Sequence, residues 1–289
     1  MIKITGIFLL FLLFFHQLQG SPSTTEPIVT AEKYIEYKKR NGHIQNFIPP
    51  KIVIVCYQQS TLKYLLEKMP DMKASQSMPE LYLIDGGQIG VLGGWGMGAP
   101  ALSVKMEQLI VLGVKRFIAI GTAGTLLDKH PIGSFIVATK ALAEDGVAHL
   151  YLRGESYAEA DAELFSQWAA FIKQRSYPSF EQAAAWSFSA LFRETPADVK
   201  RVTDQGYDVV EMEAATLYAI GKEKGAQALT LFVISDSITL VDWTPHIKEA
   251  EVRNNLHKLA DWSIDFAREN MKMMTTGNTE HVELFLGEK

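Results

Sequence analysis

Seven short runs of β-branched and other apolar residues recur along this chain, at 51–56, 81–84, 89–93, 116–121, 134–138, 184–191 and 229–235. Their length and composition read as buried strands. Helical signals lie between many of them. Segment 59–68 is one such helix, and 100–112 another, with Pro100 in a favourable first-turn position and Gly113 as a stop. Segment 161–173 follows. A helix then opens at Pro196, where Thr195 with Asp198 three residues on resembles a capping box, and Gly206 closes it. Segments 213–224, stopped by Gly225, and 246–271 complete the set. Strands alternating with helices in this order predict one α/β unit with a mixed or mostly parallel sheet.

Such sheets place ligands just beyond the carboxyl ends of their strands. Three stretches stand there: Gly94 to Gly98, Gly121 to Gly124, and Ser235-Asp236. The first, GGWGMGAP at 93–100, lets backbone N–H groups approach an anion before a helix opens at Pro100. Its spacing is not the G-x-G-x-x-G of a dinucleotide site, and no acidic residue ends a second strand at the expected distance. The second, IAIGTAGTL at 118–126, leaves its strand through glycines and carries two hydroxyls, Thr122 and Thr125, suited to an oxyanion or a sugar, or to a capped bend. In the third, DVVEMEAATLYAIGKEKGAQALTLFVISDSI at 208–238, Glu211 and Glu213 flank Met212 at the start of an apolar helix. Acids beside buried apolar surface need partners, and a carboxylate can accept both hydroxyls of a ribose diol. Asp236 ends an apolar strand, where burial favours the protonated carboxyl and lets it donate a proton. A helix first-turn acid and an N-cap are the plain structural alternatives for Glu213 and Asp236.

The bulk properties narrow the partners. The chain has 289 residues, 47% hydrophobic and 21% charged, enough for a large core. Its net charge of -5 comes from dispersed acids and bases, which argues against nucleic acid or an anionic membrane as a main partner. The opening MIKITGIFLLFLLFFHQLQGSPS has one lysine, an apolar run at 7–15 too short to span a bilayer, and small residues at Gly20 and Ser21. This is a signal-peptide pattern. The expected organisation is a signal peptide at 1–20, a linker at 21–45, a main domain at 46–274 and a tail at 275–289. The product is expected to be secreted or periplasmic, with no membrane contact after cleavage. Cys56 is the sole cysteine and lies in the apolar KIVIVC, so it reads as a small buried hydrophobe and the chain folds without an internal disulfide.

EMEAATLYAIGKEKGAQALTLFVISDS resembles the signature of the purine nucleoside phosphorylase and uridine phosphorylase family, which includes related hydrolytic nucleosidases. GWGMGAP and GTAG resemble its two glycine-rich loops, in the same order, and the likeness runs from about residue 46 to 271. The resemblance implies a three-layer α/β/α sandwich whose mixed central sheet forms a distorted barrel, in a homo-oligomer. It implies no cofactor and no metal, with inorganic phosphate as co-substrate. Residue by residue, it implies that Met212 packs on the ribose and that Glu213, with Glu211 beside it, binds the sugar hydroxyls. Asp236, paired with Ser235, falls where purine-acting members address N7 of the base. Gly96, Gly98 and Thr122 fall on the phosphate side. Phe192, in FSALFRET, is the expected stacking partner of the base, with Phe188 as the alternative.

Two departures stand against that pattern. Phosphorolytic members follow the first strand with Gly-Asp-Pro and an arginine; here the stretch is Cys56-Tyr57-Gln58-Gln59, with Thr61 where that arginine would fall. A second arginine, two residues before the glycine of the second loop, is replaced by Ala119. Bidentate arginine is the strongest ordinary phosphate contact, so the acceptor side differs from the family. Lys63, Arg253 and His43 are other bases, each readable as a solvated surface group. The glutamate that activates water in the nucleosidases is missing too. The expected function is cleavage of a purine nucleoside with phosphate as acceptor, the alternatives being a phosphate-independent nucleosidase or a non-catalytic nucleoside-binding protein.

Overall fold

The computed structural model of the chain describes residues 27–276. The predicted signal peptide lies outside the described residues, as does the tail beyond residue 276. In chain order come α1 (Ala31–Arg40), β1 (Ile52–Cys56), α2 (Gln59–Lys68), β2 (Lys73–Ala74), β3 (Leu81–Ile84), β4 (Ile89–Leu92), α3 (Ala99–Val111), β5 (Arg116–Leu126) and β6 (Phe135–Glu144). There follow β7 (Tyr157–Glu159), α4 (Ala162–Gln174), β8 (Glu181–Phe188), α5 (Pro196–Asp204), β9 (Val209–Glu211), α6 (Ala214–Lys224), β10 (Gln227–Ile238), β11 (Trp243–Pro245) and α7 (Ala250–Thr276).

The sheet is mixed and closes on itself. Its strand order is β11-β10-β6-β8-β9-β5-β1-β4-β3-β2, and an added pairing of β10 with β5 joins β10, β6, β8, β9 and β5 into a ring. Strands β1–β4, β1–β5, β5–β10, β6–β8 and β8–β9 run parallel, whereas β6–β10 and β5–β9 run antiparallel. This is the expected distorted barrel, extended past β5 by a flatter wing.

Two-residue alternation divides the core into layers. Val53 and Val55 of β1 and Phe117 and Ala119 of β5 pack with Leu102, Met106 and Leu109 of α3 and Leu217 of α6. The intervening Ile52, Ile54, Ile118 and Ile120 pack on the other side with Leu65 of α2, Trp168 of α4 and Leu259 and Phe266 of α7. Helices thus cover both faces of the sheet, giving the α/β/α sandwich. Thr195 caps α5, its hydroxyl accepting Asp198 N–H, and Asp161 caps α4 through Leu164 N–H. Cys56 is buried in the sheet, and burial pushes its thiol up to about 12, so it is packing and not a nucleophile.

Four readings change. The 21–45 stretch holds an unanticipated helix, α1, capped by Thr30 and anchored by the buried Ile35. The run expected at 184–191 forms a strand three residues earlier, because pairing to β6 starts at Ile136 opposite Glu181. GTAG is not a loop, since β5 continues through it to Leu126 with Gly121 opposite Phe232 and Gly124 opposite Asp236. Asp236 does not end its strand either: β10 runs on to Ile238, its register against β5 shifting between Ile234 and Asp236. Both strands outlast their apolar runs because the β5–β10 pairing supplies hydrogen bonds that composition does not reveal.

Candidate active site

The antiparallel β5–β9 pairing sets Gly124 opposite Val210, one residue before Glu211, and the β5–β10 pairing sets Gly124 opposite Asp236. The ring therefore brings the second and third motifs together on its mouth. Glycine at 124 is required by close approach: a Cβ there would lie 3.0 Å from Asp236 Oδ2. Asp236 is buried and accepts from two donors, the Ser235 hydroxyl at 2.6 Å and Trp243 Nε1–H at 2.8 Å. Both oxygens are thereby held by protein donors.

The first motif joins from the other layer. Gly98, at φ 85°, is the N-cap of α3, a backbone state that disfavours a side chain. Its N–H donates to Glu213 Oε1 at 2.6 Å. Met212 is the next neighbour, its Cε lying 3.9 Å from where a Gly98 Cβ would stand. The helix N-terminus expected to cradle an anion thus spends one donor on the acid assigned to the sugar. A carboxyl group can accept about four hydrogen bonds, so Glu213 keeps capacity for ligand hydroxyls. Burial and the adjacent Glu211 push the Glu213 carboxyl well above the usual range.

Glu211, predicted beside Glu213 on the sugar, is engaged by protein donors. It accepts Glu213 N–H and Ala214 N–H, each at 2.8 Å, and the Ser187 hydroxyl. Those bonds cap the N-terminus of α6 and commit the carboxylate to the backbone. Its burial raises its protonation range as well. Asp145, not anticipated from the sequence, performs a similar task, accepting Val147, Ala148 and Thr216 N–H and the Thr216 hydroxyl.

At the base end, Phe192 stands away from these groups. It is 93% exposed in the short helix Leu191–Arg193 and is not brought onto Asp236. The alternative, Phe188, stacks on Trp186 with ring centroids 4.7 Å apart. Two residues unseen in the sequence are closer: Trp243, bonded to Asp236, and Glu194, whose carboxyl is pushed up to about 7 by burial and by Asp236. Trp243 has no local signal, because β11 folds back on β10 only through a turn of polar and exposed residues. Glu194 was visible in FSALFRET but carried no pattern of its own.

On the acceptor side, Thr122 Oγ1 accepts Gln58 Nε2–H at 3.0 Å. Gly96, at φ 115°, lies against Ala101 at the start of α3. Thr61 and Ala119, at the expected arginine positions, are both buried. Lys63 instead pairs with Glu67 on the surface. No Lys or Arg among the described residues hydrogen-bonds Gln58, Thr61, Thr122 or Glu213. Among the described residues no group of acids, histidines or cysteines is arranged to hold a metal ion, and no helix is long and apolar enough to cross a membrane.

Comparisons with known proteins agree with this fold. The family model described as Phosphorylase superfamily matches residues 52–267. A purine nucleoside phosphorylase DeoD-type of Shewanella loihica is 31% identical over 186 residues, 63% of this chain and 76% of that protein. A guanosine phosphorylase of Halorubrum lacusprofundi is 27% identical over 143 residues, 50% of this chain and 59% of that protein. Among solved structures, purine nucleoside phosphorylase from Toxoplasma gondii in complex with immucillin-H superposes with a TM-score of 0.69 at 15% identity, covering 78% of this chain and 93% of that one. The 5'-methylthioadenosine/S-adenosyl homocysteine nucleosidase of Campylobacter jejuni gives 0.64 at 16% identity, covering 76% and 99%.

Proposed function

Because this chain belongs to the phosphorylase superfamily, we propose that it cleaves the N-glycosidic bond of a purine nucleoside, with inorganic phosphate as the ribosyl acceptor and no cofactor. The observation that carries this reading is the approach of the three motifs: Glu213 accepts Gly98 N–H beside Met212, and Gly124 stands opposite both Asp236 and Val210, the neighbour of Glu211. Glu213 holds the ribose hydroxyls and Met212 packs on the sugar. As the bond loosens toward an oxocarbenium ion, Asp236, oriented by Ser235 and Trp243, addresses N7 of the departing base. The acceptor oxygen then captures C1′.

A second reading, hydrolysis, draws support from the uncharged acceptor side, where Thr61 and Ala119 stand at the arginine positions and Gln58 bonds Thr122. One experiment separates them: the purified chain is incubated with inosine, adenosine and uridine, with and without phosphate, and free base is followed by chromatography. Purine release that depends on phosphate supports the main reading. Equal release without phosphate supports hydrolysis, and nucleoside binding without any release refutes both. The proposal extends to export through the 1–20 segment, checked by the N-terminal sequence of the secreted product, and to a homo-oligomer, checked by sedimentation.

A further inference from the structure

Tyr57 stands in the chain leaving β1 for α2, against the Gly121 portion of β5 and the glycine loop at 93–98. Its N–H donates to Ile120 O at 3.2 Å, which fixes its backbone beside β5. Its ring lies so close over Gly121 that a Cβ on that glycine would stand 2.6 Å from Tyr57 Cδ2. The same ring meets Trp95 of the glycine loop edge to face, centroids 6.0 Å apart at 67°. Glu213 and Glu211 are near enough for their charge to act on the phenol. A single side chain therefore links β5 and the glycine loop.

The polar groups beside that ring in α2 and the glycine loop are uncharged and partly unused. Among the described residues, the buried side-chain atoms without a hydrogen-bond partner include Tyr57 OH, Gln58 Oε1, Thr61 Oγ1 and Trp95 Nε1. All four belong to the first turn of α2, the residues leading into it, or the glycine loop. Gln58 Nε2–H already occupies Thr122 Oγ1. A phosphate dianion needs room and charged or numerous donors, whereas a water needs only a small polar niche with two to four partners.

We propose that Tyr57 selects the acceptor: its ring fills space that phosphate would take and leaves a neutral niche for a water-sized nucleophile. The proposal rests on the nucleoside-cleaving reading above and, within it, favours the hydrolytic second reading over phosphate as acceptor. With either acceptor the C1′–N bond breaks and its electron pair goes to the base. An acceptor oxygen forms the new C1′–O bond, and the proton that the acceptor gives up ends on the base. Hydrogen phosphate thus yields ribose 1-phosphate, and water yields ribose. Tyr57 sets the balance between these products by controlling which acceptor fits.

The test compares the full chain with Tyr57→Ala and Tyr57→Phe. Calorimetry measures binding of inorganic phosphate, and chromatography measures the share of ribose 1-phosphate formed from inosine in phosphate buffer. Opening the pocket to backbone N–H donors should tighten phosphate binding by about tenfold or more and raise the ribose 1-phosphate share. Tyr57→Phe, which keeps the ring, should stay within about twofold of the parent. Should the alanine variant fail to fold, Tyr57→Leu keeps packing on Gly121 while shortening the reach, and the same two readouts apply. Phosphate binding that is unchanged or weaker in the alanine or leucine variant overturns the proposal. Because phosphate binding needs no turnover, a chain that never releases base would refute the nucleoside-cleaving reading while the calorimetry still decides the role of Tyr57.

Discussion

The two ends of the pocket are built in opposite ways. The sugar and base end is acidic, and each acid is oriented by named donors: Gly98 N–H on Glu213, and Ser235 and Trp243 on Asp236. The acceptor end is neutral, with an aromatic ring across it and several buried polar atoms unpaired. Preorganised groups do most for a reaction when aimed at fixed atoms of a transition state. On the proposed reading, the contrast teaches that the nucleoside meets oriented acids, whereas the acceptor meets shape and exclusion.

The contrast breaks most visibly at Glu213. Glu213→Ala should lower kcat/KM for base release by about a thousandfold, since a site built to bind sugar hydroxyls loses its main acceptor. A nucleoside lacking both hydroxyls should be comparably poor on the parent protein. If that variant keeps activity near the parent level, the sugar assignment fails. Asp236→Asn should cost about a hundredfold in turnover of purine nucleosides and much less for uridine. Equal losses would mean that Asp236 does not address N7.

Smaller effects separate scaffold from site. Glu211→Gln should destabilise the fold by about 2 kcal/mol in urea unfolding, because three donors lose their charged acceptor. Its direct effect on nucleoside affinity should be slight. A finer effect concerns pH. Glu194 is raised to about 7 and Glu213 to about 8 from an ordinary value of 4.5, chiefly by burial, and Glu211 shifts the same way. Between these limits the folded chain holds protons that the unfolded chain has released. Stability should therefore be greatest on the acid side and decline as pH rises from about 4.5 toward about 8. Thermal melts across that window should show the decline, and Glu213→Gln should flatten it.

Local chemistry made much of this legible. The glycine loop, Met212-Glu213 and Ser235-Asp236 were readable because each is a compact motif beside an apolar run. The cap at Thr195 was readable because capping depends on residues within one turn. Illegible parts depend on contacts across the fold. Glu211 and Glu213 look equivalent one residue apart, and only the packing of Ser187 and the α6 N-terminus separates a cap from a ligand group. The aromatic residue at the base end could not be chosen by composition, since Phe192 is exposed and Trp243 arrives from a hairpin.

The sequence by itself determined the layered α/β class, through apolar runs alternating with helical segments, and the identities of the acids and glycines that a nucleoside pocket needs. It also determined the absence of arginine at positions 61 and 119. Only the tertiary structure decided that GTAG remains a strand, that its two glycines make room for Tyr57 and Asp236, and that Tyr57 reaches from β5 to the glycine loop. The reason is physical. A residue's chemistry is carried locally, but which groups share one pocket depends on the closure of β10 onto β5, a pairing between segments more than a hundred residues apart.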